Sequence, residues 1–169
     1  MHYKHRMKTL PFKILLMLFS IATLSGCVSS DVFEKNIALP SNRWKSDFKP
    51  SFNFNISDTS AQYLLFVTLR HTDAYGFSNI WLQVTTRMPG ESAIKPERVE
   101  IPMAQADGKW LGRGMNEIWQ HQMSISGAQG YHRFPKKGVY TIQLEQIMRV
   151  DPLPEIMSVG IRIEKAPKP

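Results

Sequence analysis

Apolar and polar positions alternate along most of this chain with the two-residue period of β-strands, and turn-forming residues separate the alternating runs. The strongest run is Gln62 to His71, with Tyr63, Leu65, Val67 and Leu69 on one face and Leu64, Phe66 and Thr68 on the other. Apolar residues on both faces predict a central strand. Asn79 to Thr85 sets Ile80, Leu82 and Val84 against Trp81, Gln83 and Thr85, and Arg98 to Met103 aligns Val99, Ile101 and Met103. Further runs are His121 to Ser126, Val139 to Val150 and Ser158 to Glu164, with shorter candidates at Asp31 to Lys35 and Phe52 to Ile56. Breakers fall at Asp73 to Ser78, Pro89-Gly90, Asp107-Gly108, Gly127 to Gly130, Pro135 to Gly138 and Pro152 to Pro154. About eight strands at this spacing predict an all-β fold, a two-sheet antiparallel β-sandwich with jelly-roll-like connections.

The N-terminus follows a different pattern. Lys4, Arg6, Lys8 and Lys13 precede Ile14 to Leu24, an apolar run of 11 residues. A spanning helix needs about 20 apolar residues, so this run reads as the signal helix of a secreted protein. It ends in Leu24-Ser25-Gly26-Cys27, and Cys27 is the single cysteine of the chain. Small residues directly before a cysteine form a bacterial lipobox, where the thiol takes a diacylglyceryl group before cleavage. The expected organisation is a signal peptide at 1–26, a lipidated tether at 27–30, one β-sandwich domain at 31–165 and a frayed tail at 166–169. Acyl chains, palmitate among them, would hold the domain at a membrane surface at about 0.8 kcal/mol per buried methylene.

This changes the charge picture. The whole chain has 21 Lys and Arg against 14 Asp and Glu, a net +7. All four leader cations leave with the signal peptide, so the mature domain is close to +3. That balance argues against a nucleic-acid partner. With its cysteine committed to lipid, the domain has no thiol for a disulfide, a metal or nucleophilic catalysis.

The polar residues that stand out are weighed against plain structural roles. His71 and Asp73 follow Arg70 at a strand end, and Ser78 is nearby, but Ser78 has no Gly-x-Ser-x-Gly context. Catalysis is therefore not expected there: polar residues leaving a buried strand are usually turn formers and loop hydrogen-bonders, with an interaction loop as the alternative. His71, His121 and His132 lack metal-ligand spacing, so no metal and no cofactor beyond the Cys27 lipid is expected. Trp110-Leu111-Gly112-Arg113-Gly114 contains Gly-x-Gly without the third glycine or following helix of a phosphate loop. Its glycines predict a bulge or tight bend instead. Trp81, Trp110 and Trp119 suit core packing or a protein interface. They also suit the alternative of a carbohydrate-binding module stacking on glycan or peptidoglycan. Arg149 shares a strand face with Glu145 and Gln143. The candidate interaction surface is Arg70, His71, Asp73, Tyr75, Asn79, Trp81, Trp110, Trp119 and Arg149.

Several segments resemble one family, the gliding-motility lipoprotein GldH family of Bacteroidota. The similarity begins at Asp31-Val32-Phe33-Glu34-Lys35-Asn36, then Leu39-Pro40 and Trp44, and continues at Ile56-Ser57-Asp58-Thr59. It is densest from Leu69 to Tyr75 and from Ser78 to Leu82. Gly108 to Gly112, Ile118-Trp119, Gly138-Val139-Tyr140, Gln146 to Arg149 and Val159 to Arg162 complete it. The resemblance implies a non-enzymatic structural or assembly component of the gliding machinery, which is linked to type IX secretion. It implies an outer-membrane lipoprotein whose partners are other gliding and secretion lipoproteins, and it brings no catalytic residue and no cofactor. Val28-Ser29-Ser30-Asp31 carries one acid, not the acidic cluster associated with surface export, so the periplasmic face is expected.

Overall fold

The alternating segments become the strands of two antiparallel sheets in the computed structural model, which describes residues 31–92 and 96–167. Cys27 and the lipobox Leu24, Ser25 and Gly26 lie outside the described residues, as does the signal segment. One sheet has five strands, in the order β1 (Asp31–Ala38), β11 (Ile156–Lys165), β4 (Tyr63–Thr72), β8 (Ile118–Ser124) and β7 (Arg113–Met115). The other has four, in the order β3 (Ser51–Ile56), β9 (Gly138–Gln146), β5 (Asn79–Arg87) and β6 (Glu97–Pro102). A two-residue pairing of β2 (Arg43–Trp44) with β10 (Leu153–Pro154) links the chain after β1 to the chain before β11. The protein is thus an all-β sandwich, as the periodicity predicts.

The inner faces fill the space between the sheets. Leu65, Val67 and Leu69 of β4 and Val159, Ile161 and Ile163 of β11 come from one side. Phe52, Phe54 and Ile56 of β3, Ile80 and Leu82 of β5, and Tyr140, Ile142 and Leu144 of β9 come from the other. All are buried, and each such side chain contributes roughly 1.5–3 kcal/mol by leaving water. Phe134, outside any strand, plugs one margin with its ring 4.7 Å from Tyr140, 5.2 Å from Tyr63 and 5.6 Å from Phe54. β4 is central as predicted, flanked by β11 and β8, with Leu64 and Phe66 half-covered on its outer face.

Three expectations are corrected. β9 stops at Gln146, not Val150, because Gln146 is buried and turns its amide to the loops. Its Nε2 donates to the Trp44 carbonyl and to Asp151, and its Oε1 accepts the Met148 N–H at 2.9 Å. β8 begins at Ile118 rather than His121 because a two-residue turn, Asn116-Glu117, folds β7 back onto it. Both turn residues have positive φ, 49° and 63°, the twist that joins antiparallel strands most readily. The tail is tied down at its first residue, where the Ala166 N–H donates to the Gln62 carbonyl at 2.8 Å.

Candidate functional site

At the C-terminal end of β4 the strand alternation sends Leu69 and His71 inward and Arg70 outward. His71 and His121 are side by side beneath this end, both buried, with their Nε2 atoms 2.9 Å apart. His71 Nδ1 lies 2.7 Å from the Thr72 carbonyl. A carbonyl only accepts, so Nδ1 carries the proton and His71 Nε2 accepts the N–H of His121. This is the neutral state of both rings, which their burial favours. Burial lowers the His71 pKa, against opposing pulls from the Thr72 carbonyl and Asp73. Burial and then the neighbouring His71 push His121 down to about 4.

The loop beyond β4 builds on this pair. Asp73 Oδ1 accepts the indole N–H groups of both Trp110 and Trp119, each at 3.0 Å. The Asp73 backbone N–H donates to the Glu117 carbonyl in the β7–β8 turn at 2.7 Å. Thr72 is fixed by Glu155, whose Oε2 accepts the Thr72 hydroxyl at 2.5 Å. Tyr75 is buried against His71, with ring centroids 5.2 Å apart, and its hydroxyl donates to the Asn79 carbonyl at 2.9 Å. Burial raises the Tyr75 pKa. Trp110 meets His71 edge-on at 4.5 Å.

Leu111 and Gly112 form the expected bend before β7, and the glycines of Trp110-Leu111-Gly112-Arg113-Gly114 have a second role. A Cβ on Gly114 would come within 2.8 Å of the Trp119 ring, and one on Gly112 within 2.7 Å of His121 Nε2. Each glycine leaves the space that a neighbouring ring occupies. Position in the strand pairing shows the same thing, since His71, Trp119 and Gly114 form one cross-strand row.

Of the predicted surface, the structure brings together His71, Asp73, Tyr75, Trp110 and Trp119, with Asn79 joined through its carbonyl. His71 and Tyr75 are corrected from surface to interior: they are buried and brace the loop from beneath. Arg70 lies on the opposite face of its sheet, exposed. Trp81 is 38% exposed on the outer face of the other sheet. The segment after β9, which carries the exposed Arg149, docks there through an Ile147 N–H to the Trp81 carbonyl at 3.0 Å. Trp110 and Trp119 are half-buried with their planes 46° apart, so the three tryptophans form no coplanar row. His121 was missed as a member of the cluster, although it has the parity of the inward Met123. Arg113 was missed because three residues of β7 show no periodicity, and Gln120 because it precedes the predicted start of β8 at His121.

Fold and site together define a β-sandwich domain with one end braced by a buried histidine pair and an aspartate shared between two tryptophans. A model of the GldH lipoprotein family matches residues 31–163, and the chain belongs to that family. It is 26% identical over 162 residues to the gliding motility lipoprotein GldH homolog of Christiangramia forsetii, covering 92% of this chain and 96% of that protein. It is 28% identical over 157 residues to gliding motility lipoprotein GldH of Flavobacterium johnsoniae, covering 89% and 94%. Among solved structures, a tomato aspermy virus chain matches with 12% identity and a TM-score of 0.31, covering 93% of this chain and 96% of that one. A score that low carries no argument.

Proposed function

We propose that this lipoprotein is a non-enzymatic structural or assembly component of the gliding machinery and its linked type IX secretion apparatus. It is held on the periplasmic face of the outer membrane by acyl chains on Cys27. The observation that carries this reading is the family match over residues 31–163, which runs through both sheets of the sandwich. The lipobox directly before that region supplies the anchor. The chemistry of the histidines supports a structural role: both nitrogens of His71 are engaged, one by Thr72 and one by His121. Its partners are other envelope lipoproteins and secretion components.

The test is a gentle-detergent pull-down of tagged full-length protein beside Cys27→Ser, with co-purifying proteins identified by mass spectrometry. Enrichment of envelope lipoproteins or secretion components with wild type, lost with Cys27→Ser, supports the reading. Recovery of wild type alone overturns it.

A further inference from the structure

The outer face of the five-stranded sheet treats its arginines in two ways. Near the start of β1, Arg162 pairs with Glu34 and with Glu164. At the far end, Arg70 of β4 and Arg113 of β7 are both exposed, and among the described residues neither takes part in an ion pair. They are not scattered. Arg70 pairs with Gln120 of β8, and Gln120 pairs with Arg113, so the three form one row across adjacent strands. Directly paired residues point to the same face, with neighbouring Cβ atoms roughly 4.5–5.5 Å apart. The row lines a groove of about 560 Å³, with Gln122 beside it and Leu111, Ile118 and Met115 as an apolar border. Leu111 is 49% and Met115 76% exposed.

We propose that this groove docks an extended acidic segment of a partner polypeptide; the proposal rests on the partner-binding reading above and names the surface and its chemistry. Two guanidinium forks without a carboxylate of their own suit carboxylates. Gln120 and Gln122 offer both donors and acceptors, which match peptide groups. β7 is the outermost strand of its sheet, so its free edge can pair with a peptide backbone, which neither a phosphate nor a sugar reproduces. An exposed Met115 gives an adaptable apolar contact.

The row lies at the opposite end of β1 from the residues that follow Cys27. Arg70 pairs with Ser158, which pairs with Ala38, the last residue of β1. Lipidated Cys27 lies just before Asp31, the first residue of β1. At about 3.3 Å per residue, the row sits some 23 Å along the strand from the anchored end.

The test uses full-length lipoprotein in detergent and a fluorescein-labelled eight-residue peptide of alternating Glu and Thr, read by anisotropy. Arg70→Gln/Arg113→Gln should weaken binding about tenfold or more, and Arg87→Gln, at an exposed position on the other sheet, should leave it within about twofold. A Lys-Thr peptide should not bind. Circular dichroism of each variant verifies folding, and Arg70→Lys/Arg113→Lys, which keeps charge but not the fork, should fall between. Absence of acidic-peptide binding, or equal losses from Arg87→Gln, overturns the proposal. So does equally effective competition by inorganic phosphate or by anionic phosphatidylglycerol vesicles, which would make the site a general anion or lipid site. In the pull-down, partners retained by Arg70→Gln/Arg113→Gln would sink this docking site and leave the partner reading standing. Partners absent with wild type would sink that reading instead.

Discussion

His71 and His121, 50 residues apart in sequence, share one hydrogen bond between their Nε2 atoms at 2.9 Å in the interior of the sandwich. Only one proton fits between those two nitrogens. The arrangement therefore cannot hold two imidazolium rings, burial disfavours even one, and the bond ties the end of β4 to β8 from within.

The pair makes stability depend on pH in a definite direction. Folded-state pKa values lie below the ordinary 6.5, with His121 near 4, so the unfolded chain binds protons more readily. Stability is full above about pH 6.5 and falls as pH drops from there toward 4. For His121 alone the loss by pH 4 is about 3 kcal/mol. Burial of His132 lowers its pKa too and adds to the slope. Denaturant midpoints between pH 7.5 and 4 should show the decline, and His121→Gln should flatten it; a midpoint constant over that range would refute the neutral pair.

Removing the glycine spaces should be costly where a ring or backbone fills them. Gly114→Ala presses on Trp119 and Gly112→Ala on His121 Nε2 and the Gln120 carbonyl, and each should cost about 1–3 kcal/mol. Gly160→Ala should cost more, since its Cβ would fall 2.2 Å from Asn36 Oδ1 and 2.4 Å from the Lys35 carbonyl. Gly76→Ala meets nothing within 4 Å and serves as the neutral control in urea titrations.

Asp73 holds both indoles, so Asp73→Ala leaves two donors without their acceptor. Because the loop is open to water, the expected loss is about 1–2 kcal/mol. Tryptophan emission should shift to the red, and Asp73→Asn, which keeps an acceptor oxygen, should do less on both counts.

Phe134→Ala opens a cavity among Phe54, Tyr63 and Tyr140 and should lower stability by about 3–5 kcal/mol. Calorimetry of the full-length protein would read this directly. An effect below about 1 kcal/mol would mean that this margin of the core rearranges freely.

The lipoprotein class and the sandwich could be read from the chain because each rests on local order. Lipobox chemistry needs four consecutive residues, and strand faces need only a period of two, which Tyr63 to Leu69 and Ile80 to Val84 display without any partner. The same parity assigned Trp81 to the opposite face from Ile80 and Leu82. What tertiary structure alone decided is which distant residues share a row. The pairing of β4 with β8 and of β8 with β7 put His71 against Trp119 and Gly114 on one face, and Arg70, Gln120 and Arg113 on the other. Register between strands is set by turn geometry and by the fit of rings into glycine gaps, and neither leaves a periodic trace in sequence. Burial of His71 and Tyr75 was decided in the same way. A polar residue at a strand end reads as exposed until a partner such as His121, more than a hundred ångströms away along an extended chain, folds in to satisfy it.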